Sequence, residues 1–407
     1  EDLTVWQLKE RAQEQLGRGV CDLISPSGEV LDDERTLGSL TSQSIRAFTA
    51  TLQKPRIVSS RCKRQALHCD SSAFALIRSD GSVATWGDSN YGGDSSAVQP
   101  LTKVRDICGS MGAFAALKAD GTVTAWGNAE AGGAIPPDIQ RQLQDVRKLQ
   151  STTKAFAAVR ADGRVVTWGS EGAGGNSSQV QDQLHHVTLV ASTDAAFAAL
   201  RSDVLAICWG FSLFGGGTPL PGVVDIAGRA IDLVGTGCAF SALKDDGTVS
   251  TWGVADRGGA MSEEKQENLK NVKHIAASYM AFCALRSDGT VVVWGFGLDK
   301  ADALRIIASI SQADLVVGAA FSFAVRMQPE CRVVVFGDGP SAQLPEDVQA
   351  ELVSIQDLCA SSHGFAALRT DGRVFHWGLQ AKEDPSMVPK GELQGEITFG
   401  DCLVETC

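Results

Sequence analysis

Across its 407 residues the chain is 44% hydrophobic and 21% charged, a globular composition that excludes a disordered or collagen-like protein. A net charge of −12 argues against a nucleic-acid surface, because phosphate binding needs clustered Lys and Arg. No uninterrupted apolar run approaches the ~20 residues of a membrane-spanning helix, so no membrane insertion is expected.

The opening Glu1-Asp2-Leu3-Thr4 is neither an initiator methionine nor a signal peptide, so upstream residues are expected to have been removed or left out. Thr4-Val5-Trp6-Gln7 reads as a capping box, with Thr4 as N-cap and Gln7 reaching back to it. Val5, Leu8, Ala12 and Leu16 then share one helical face, and Gly17 stops the helix. A short strand is predicted at Cys21–Ile24, a turn at Ser25-Pro26-Ser27-Gly28 and a last strand around Ile45–Thr51. Residues 1–52 are therefore read as a small α+β domain, separate from the remainder at 53–407.

From about Pro55 the chain repeats itself. A segment of the form A-F-A-A-L-(R/K)-x-D-G-x-V-x-x-W-G recurs with aromatic anchors at Trp86, Trp126, Trp168, Trp209, Trp252, Trp294, Phe336 and Trp377. Successive anchors lie 40, 42, 41, 43, 42, 42 and 41 residues apart. A fixed period of this size marks one supersecondary unit stacked on copies of itself. Each unit reads as a V-x-x-I-type strand (Val104–Ile107, Val272–Ile275), the A-F-A-A-L strand, an Asp-Gly turn and the V-x-x-W-G strand. The Asp-Gly turns at Asp80, Asp120, Asp162, Asp246, Asp288 and Asp371 predict type I′ hairpins, with both central residues at positive φ. Asp203-Val204 and Met327–Cys331 break the pattern and predict altered turns.

The A-F-A-A-L strands are apolar on both faces, whereas a sheet with one wet face would alternate. Burial on both faces follows if each small sheet is wedged between two others, which selects an all-β propeller. Eight hairpins predict eight blades, or seven if one hairpin lies outside the ring. Glu396-Ile397-Thr398-Phe399 through Val404 reads as the opening of a further unit, expected to complete the blade begun by the first repeat.

At these residues the chain resembles the regulator of chromosome condensation family, whose β-propellers share an S-x-x-A/H-x-x-A-L-x-x-D-G-x-V-x-x-W-G pattern. The resemblance covers roughly 55 to 407. The short unit is closer to the compact bacterial propeller that inhibits β-lactamases than to the longer-repeat animal proteins. Tyr91-Gly92-Gly93-Asp94-Ser95-Ser96-Ala97-Val98-Gln99 is similar to arrays found in dinoflagellates, commonly labelled HECT-type ubiquitin ligases by similarity. The first domain, with T-V-x-x-L-K and later G-x-x-L-D-D-x-R-T-L, resembles a ubiquitin-like (β-grasp) domain lacking its first hairpin. Ile24 falls where such domains carry an apolar contact residue, or else it is a core strand residue. The resemblance implies a protein-binding scaffold, a substrate-recognition part or fragment of a ubiquitin ligase, or a guanine-nucleotide exchange regulator of a small GTPase.

Candidate sites are few. The anchors fit core packing better than light sensing, since the tryptophan-rich motif of the plant ultraviolet-B photoreceptor is missing. A basic residue precedes every hairpin turn: Arg78, Lys118, Arg160, Arg201, Lys244, Arg286, Arg326 and Arg369. On a propeller these would ring one face, beside a ring of acids, and form either a docking surface or solvated ion pairs. Glycine pairs follow the first five anchors, at Gly92, Gly132, Gly174, Gly215 and Gly258, and are missing after the last three, where a specific partner is sought first. Eleven cysteines include no C-x-x-C pair and share no ligand spacing with the six histidines, so no metal is expected. Cys62/Cys69 and Cys402/Cys407 could be bridged, but the odd total favours free thiols in a reducing compartment. The cytoplasm is expected, with the nucleus or an organelle after loss of a leader as alternatives. No catalytic constellation, cofactor loop or small-molecule site emerges. Only about thirty residues follow the last anchor, too few for a HECT domain, and units of 40–43 residues leave no insertion for an exchange-factor wedge. The expected function is a non-enzymatic scaffold with protein partners.

Overall fold

A computed structural model describes residues 3–16, 20–24, 31, 36, 49–52, 56–59 and 73–378, the last stretch with gaps at 204, 217–221, 227, 299, 345, 361–363 and 372. The first helix, α1, spans Val5–Leu16. Both halves of its capping box form: the Thr4 N–H donates to Gln7 Oε1 at 3.0 Å, and the Gln7 N–H donates to Thr4 Oγ1 at 3.2 Å. Val5 is fully buried on the expected face, with Leu8 and Ala12 half-buried. Strand β1 (Val20–Ile24) pairs antiparallel with β2 (Thr49–Leu52), close to both predicted positions. Leu23 and Leu31 are buried, and the Leu31 N–H donates to the Leu23 carbonyl at 2.9 Å. The helix stop at Gly17 and the turn at 25–28 lie outside the described residues, as does everything beyond Gly378, including the strand expected at 396–404 and the cysteines at 402 and 407. Cys62 and Cys69 also lie outside them.

The repeats form eight antiparallel sheets among the described residues, each taken from one stretch of chain. The first contains β3 (Arg56–Ser59), β4 (Ala73–Ile77) and β5 (Val83–Gly87). The second contains β6 (Val104–Gly109), β7 (Ala113–Lys118) and β8 (Val123–Gly127). The fourth alone has an outer fourth strand, Gly222–Asp225, paired with Leu205–Gly210. In β7, Ala113 through Leu117 are at most 1% exposed, so the strand is buried on both faces as its composition demands. Ala113, Ala115 and Leu117 share a core with Phe156, Ala158 and Trp168 of the next sheet. Phe114 and Ala116 face the other way, into a core with Ala73, Ala75 and Ile77 of the sheet before. Small residues on one face thus receive the aromatic face of the following sheet, and the unit repeats as an all-β propeller.

Main-chain hydrogen bonds clip sheet to sheet at both strand ends. At the hairpin end, the Val104, Val146, Val187, Val272 and Ala313 N–H groups donate to the hairpin glycine carbonyls of the preceding unit at 2.9–3.0 Å. At the opposite end, a relay runs from Met111 N–H to Thr153 O, Thr153 to Asp194, Asp194 to Gly237, Gly237 to Tyr279 and Tyr279 to Ala320, at 2.7–3.0 Å.

The hairpins depart from the type I′ geometry expected of Asp-Gly. Only the glycine takes positive φ (Gly81, +76°), while the aspartate does not. Arg78 N–H donates to Ser82 O, and Gly81 N–H to Arg78 O, which closes a three-residue loop with a left-handed glycine bulge. The reason is the aspartate side chain: Asp80 Oδ1 accepts the Ser82 N–H at 2.8 Å, and Asp120, Asp162, Asp246, Asp288 and Asp371 repeat the contact two residues on. The altered turn at 327–331 puts Cys331 at φ +48°, in the position glycine holds elsewhere. Of the other, Asp203 is described and residue 204 is not.

Candidate functional site

Each anchor stacks on the phenylalanine opposite it in the middle strand, from Phe74–Trp86 to Phe365–Trp377, at centroid distances of 5.2–5.6 Å. Trp126, Trp168, Trp209, Trp294, Phe336 and Trp377 are at most 6% exposed, with Trp86 and Trp252 half-buried. Four indoles also reach back into the preceding unit, where Trp126, Trp168, Trp209 and Trp294 donate to the carbonyls of Gly92, Gly132, Gly174 and Gly258 at 3.0–3.2 Å. These acceptors are the first members of the glycine pairs. A Cβ on Gly132 (φ +91°) would stand 2.6 Å from Phe156 Cδ2, and one on Gly133 would stand 2.5 Å from the Gly127 backbone. The pairs therefore serve inter-sheet contact as well as turn geometry.

All eight predicted basic residues lie at or beside the hairpin end of the middle strands and are half-buried. Arg160, Arg201 and Arg286 pair with Asp162, Asp203 and Asp288 of their own hairpins at 3.5, 2.5 and 3.4 Å, and Arg369 pairs with Asp371. Arg326 turns instead to Asp314 of its own sheet, at 2.9 Å. Arg160 and Arg286 use Nε to hold the carbonyls of Gln144 and Lys270 in the incoming connection, both at 3.2 Å. Arg78 donates to Ser82 Oγ at 3.2 Å. Lys118 and Lys244 complete the ring at the ends of their strands. Hydrogen bonds from Thr248 and Thr290 hold the Asp246 and Asp288 carboxyls below the usual range, with the neighbouring base a lesser cause. The Arg369 hydrogen bond brings Asp371 down to about 2. Arg160, Arg201, Arg286 and Arg369 thus meet the acids of their own hairpins as local pairs, weakened by solvent screening.

The opposite end carries a feature that the repeat pattern concealed. After the W-G of each of the first six units the chain enters a short turn, and in the first two units a polar side chain caps it. Asp88 Oδ1 accepts the Asn90 N–H, and Asn128 Oδ1 accepts the Glu130 N–H, both at 2.8 Å. In the fourth unit that position is Phe211, 43% exposed, followed by Leu213 at 67%; in the sixth it is Phe296 at 55%. Phe211 packs on Phe214 at 5.5 Å. At the same end, Tyr279 lies against Gly237, donates its hydroxyl to Asp194 Oδ2 at 3.0 Å and meets Phe321 edge-on at 5.8 Å. Aligning the residue after each W-G would have revealed the change from Asp, Asn and Ser170 to Phe.

Other chemistry is muted. Among the described residues six cysteines are free thiols, five of them buried, and burial pushes Cys208 up to about 12. Burial also lowers the His274 pKa. No group of three metal-ligating side chains occurs among the described residues, and no described helix is long and apolar enough to cross a membrane.

No protein-family model matches the chain, and no curated protein matches it. Solved structures similar to it include the CRINKLY WD40 ectodomain of the receptor kinase ACR4 from Arabidopsis thaliana, 18% identical over 66% of this chain and 91% of that one, with a TM-score of 0.40. Prp20p from Saccharomyces cerevisiae is 15% identical over 69% and 82%, at 0.42. Human WBSCR16 is 13% identical over 73% and 92%, at 0.43. Likenesses this remote carry no argument about function.

Proposed function

We propose that the protein is a non-enzymatic scaffold that docks protein partners on the end of the propeller opposite its hairpins. One observation carries this reading: the fourth and sixth units expose Phe211 and Phe296 where the first two units spend the same position on a polar cap, and Leu213 is exposed two residues after Phe211. Giving up a cap costs about 1 kcal/mol, and a phenylalanine that leaves about half of its surface in water returns only part of that to the isolated fold. Desolvating such side chains against a partner is the usual source of binding energy at an interface. The buried thiols, with Cys208 and Cys283 pushed up by burial, also suit a chain without a cysteine nucleophile in a reducing compartment such as the cytoplasm. The test is affinity capture with mass spectrometry, comparing wild type with Phe211→Ser/Leu213→Asp. Wild type should retain a near-stoichiometric partner that the variant loses at unchanged thermal midpoint; equal retention by both proteins rejects the docking end.

A second reading, substrate recognition for a ubiquitin ligase, is favoured by the capped helix and paired strands ahead of the propeller, which suit a ubiquitin-like module. The full-length transcript tests it: a downstream HECT-like region supports this reading, and a stop codon after Cys407 rejects it.

A further inference from the structure

Six connections between units place a residue other than glycine in the left-handed region as the chain enters the next sheet: Lys103, Asp145, His186, Asn271, Gln312 and Ser354, at φ +52° to +56°. At His186 the hairpin of the preceding unit clamps this conformation. A Cβ on Gly163 would stand 2.9 Å from the His186 Cα, and the Gly163 carbonyl accepts the Val187 N–H at 2.9 Å. The His186 carbonyl accepts the Ser202 N–H, and the His185 N–H donates to the Gln183 carbonyl, both at 3.0 Å. Main-chain contacts thus hold both residues, which are the only adjacent histidines in the sequence.

Their side chains meet. His185 Nδ1 and His186 Nδ1 lie 3.0 Å apart while the ring centroids lie 4.9 Å apart, so each ring turns that nitrogen toward the other. In the neutral pair, one Nδ1 carries the proton that bridges them. Moving that proton to Nε2 through solvent frees two converging lone pairs with no net change in protonation. Imidazole nitrogens bind a first-row ion at about 2.0–2.1 Å, so a 3.0 Å separation corresponds to an N–metal–N angle of about 91–97°. A tetrahedral ion needs nitrogens about 3.3–3.4 Å apart, and a linear two-coordinate ion about 4 Å. The observed bite suits adjacent positions of a tetragonal ion, the geometry that marks Cu2+ and Ni2+ with nitrogen and oxygen ligands. Arg201, which donates to the Gln183 carbonyl at 3.3 Å, has its charge matched by Asp203 at 2.5 Å.

We propose that His185 and His186 form a two-imidazole site for a divalent ion of tetragonal preference, Cu2+ ahead of Ni2+, at the hairpin end of the propeller. His186 is exposed and His185 half-buried, so water can complete the coordination. With the backbone already fixed, little ordering cost opposes binding. The site lies at the end opposite Phe211 and Phe296 and does not depend on docking there.

The test is titration of the full chain with Cu2+, followed by electron paramagnetic resonance and equilibrium dialysis. Wild type should show a one-equivalent species split by two equatorial nitrogens. His185→Gln and His186→Asn install the residue types that other connections carry at these places, Gln144 and Asn271. Each should remove the two-nitrogen species and weaken binding at least about tenfold, since the second ligand of a linked pair binds intramolecularly. Absence of the species in wild type overturns the proposal, as does its survival in both variants. Zn2+ binding more tightly than Cu2+ overturns the tetragonal assignment. If either variant lowers the thermal midpoint, diethyl pyrocarbonate modification of wild type decides. One equivalent of Cu2+ should slow the modification of His185 and His186 and leave the exposed His376 unchanged; equal protection of all three overturns the site.

Discussion

The first five units and the last three solve one packing problem in two ways. In the first five units a glycine pair brings the connection against the next sheet, and in four of them its carbonyl receives that sheet's indole N–H, as Gly132 does for Trp168, whereas Trp252 Nε1 finds no acceptor among the described residues although Gly215 is present. After Trp294 the pair is missing, and the next anchor is Phe336, which has no N–H to satisfy. After Phe336 it is missing again, and the buried Trp377 Nε1 finds no acceptor among the described residues. The lesson is that tryptophan and glycine cooperate across the sheet boundary at four of the five glycine pairs, and that Trp252 packs there without the hydrogen bond.

The largest effect should come from filling the glycine contacts. Gly133→Ala must displace the Gly127 backbone, and Gly132→Val must displace the Phe156 ring, so each should cost about 3 kcal/mol or more in denaturant unfolding. Gly297→Ala, whose nearest obstacle is Asp338 Cβ at 3.8 Å, should cost only the ~1 kcal/mol strain of its left-handed backbone. Equal losses at the two sites would break the contrast. Next, Trp168→Phe orphans the Gly132 carbonyl and should cost about 1–3 kcal/mol beyond the lost ring area. Trp377→Phe should cost only the lost ring area, without that addition, as read by thermal midpoints.

The hairpin ends do not differ between the two regions, which yields a third test. The carboxyls of Asp80, Asp246, Asp288 and Asp371 are depressed in the fold by their hydrogen bonds. Their stabilisation is complete above the unfolded value of about 4 and is lost as pH falls through the lower folded values. Thermal midpoints should therefore drop between pH 4 and 2 in wild type. Hydrogen exchange should show the Met327–Cys331 turn, which lacks this aspartate, loosening least. The smallest effect is expected from Arg286→Ala, about 0–1 kcal/mol by chemical denaturation, because its ion pair is solvent-screened.

Much of the fold was legible because periodicity is a one-dimensional signal. The A-F-A-A-L strands, the anchors and the capping box at Thr4 and Gln7 all stand where spacing placed them. The hairpin type was misread because Asp-Gly is compatible with two turns, and the choice rests on a side-chain bond from Asp80 to Ser82 that a dipeptide does not display. The eight bases stand at the hairpin ends of the middle strands, yet the pairing of Arg160, Arg201, Arg286 and Arg369 with acids depends on side-chain direction. Phe211, Leu213 and Phe296 were missed because attention to what repeats hides what varies.

The relay from Met111 to Ala320 is carried by backbone alone, and its six positions hold Met111, Thr153, Asp194, Gly237, Tyr279 and Ala320. The main-chain bonds hold the register at all six positions, so the side chains of Met111 and Ala320 can change without breaking them. Gly237, Tyr279 and Asp194 are tied to one another, because a Cβ on Gly237 would stand 2.5 Å from the Tyr279 ring and the Tyr279 hydroxyl donates to Asp194 Oδ2, so a change at one of them must be answered at the others.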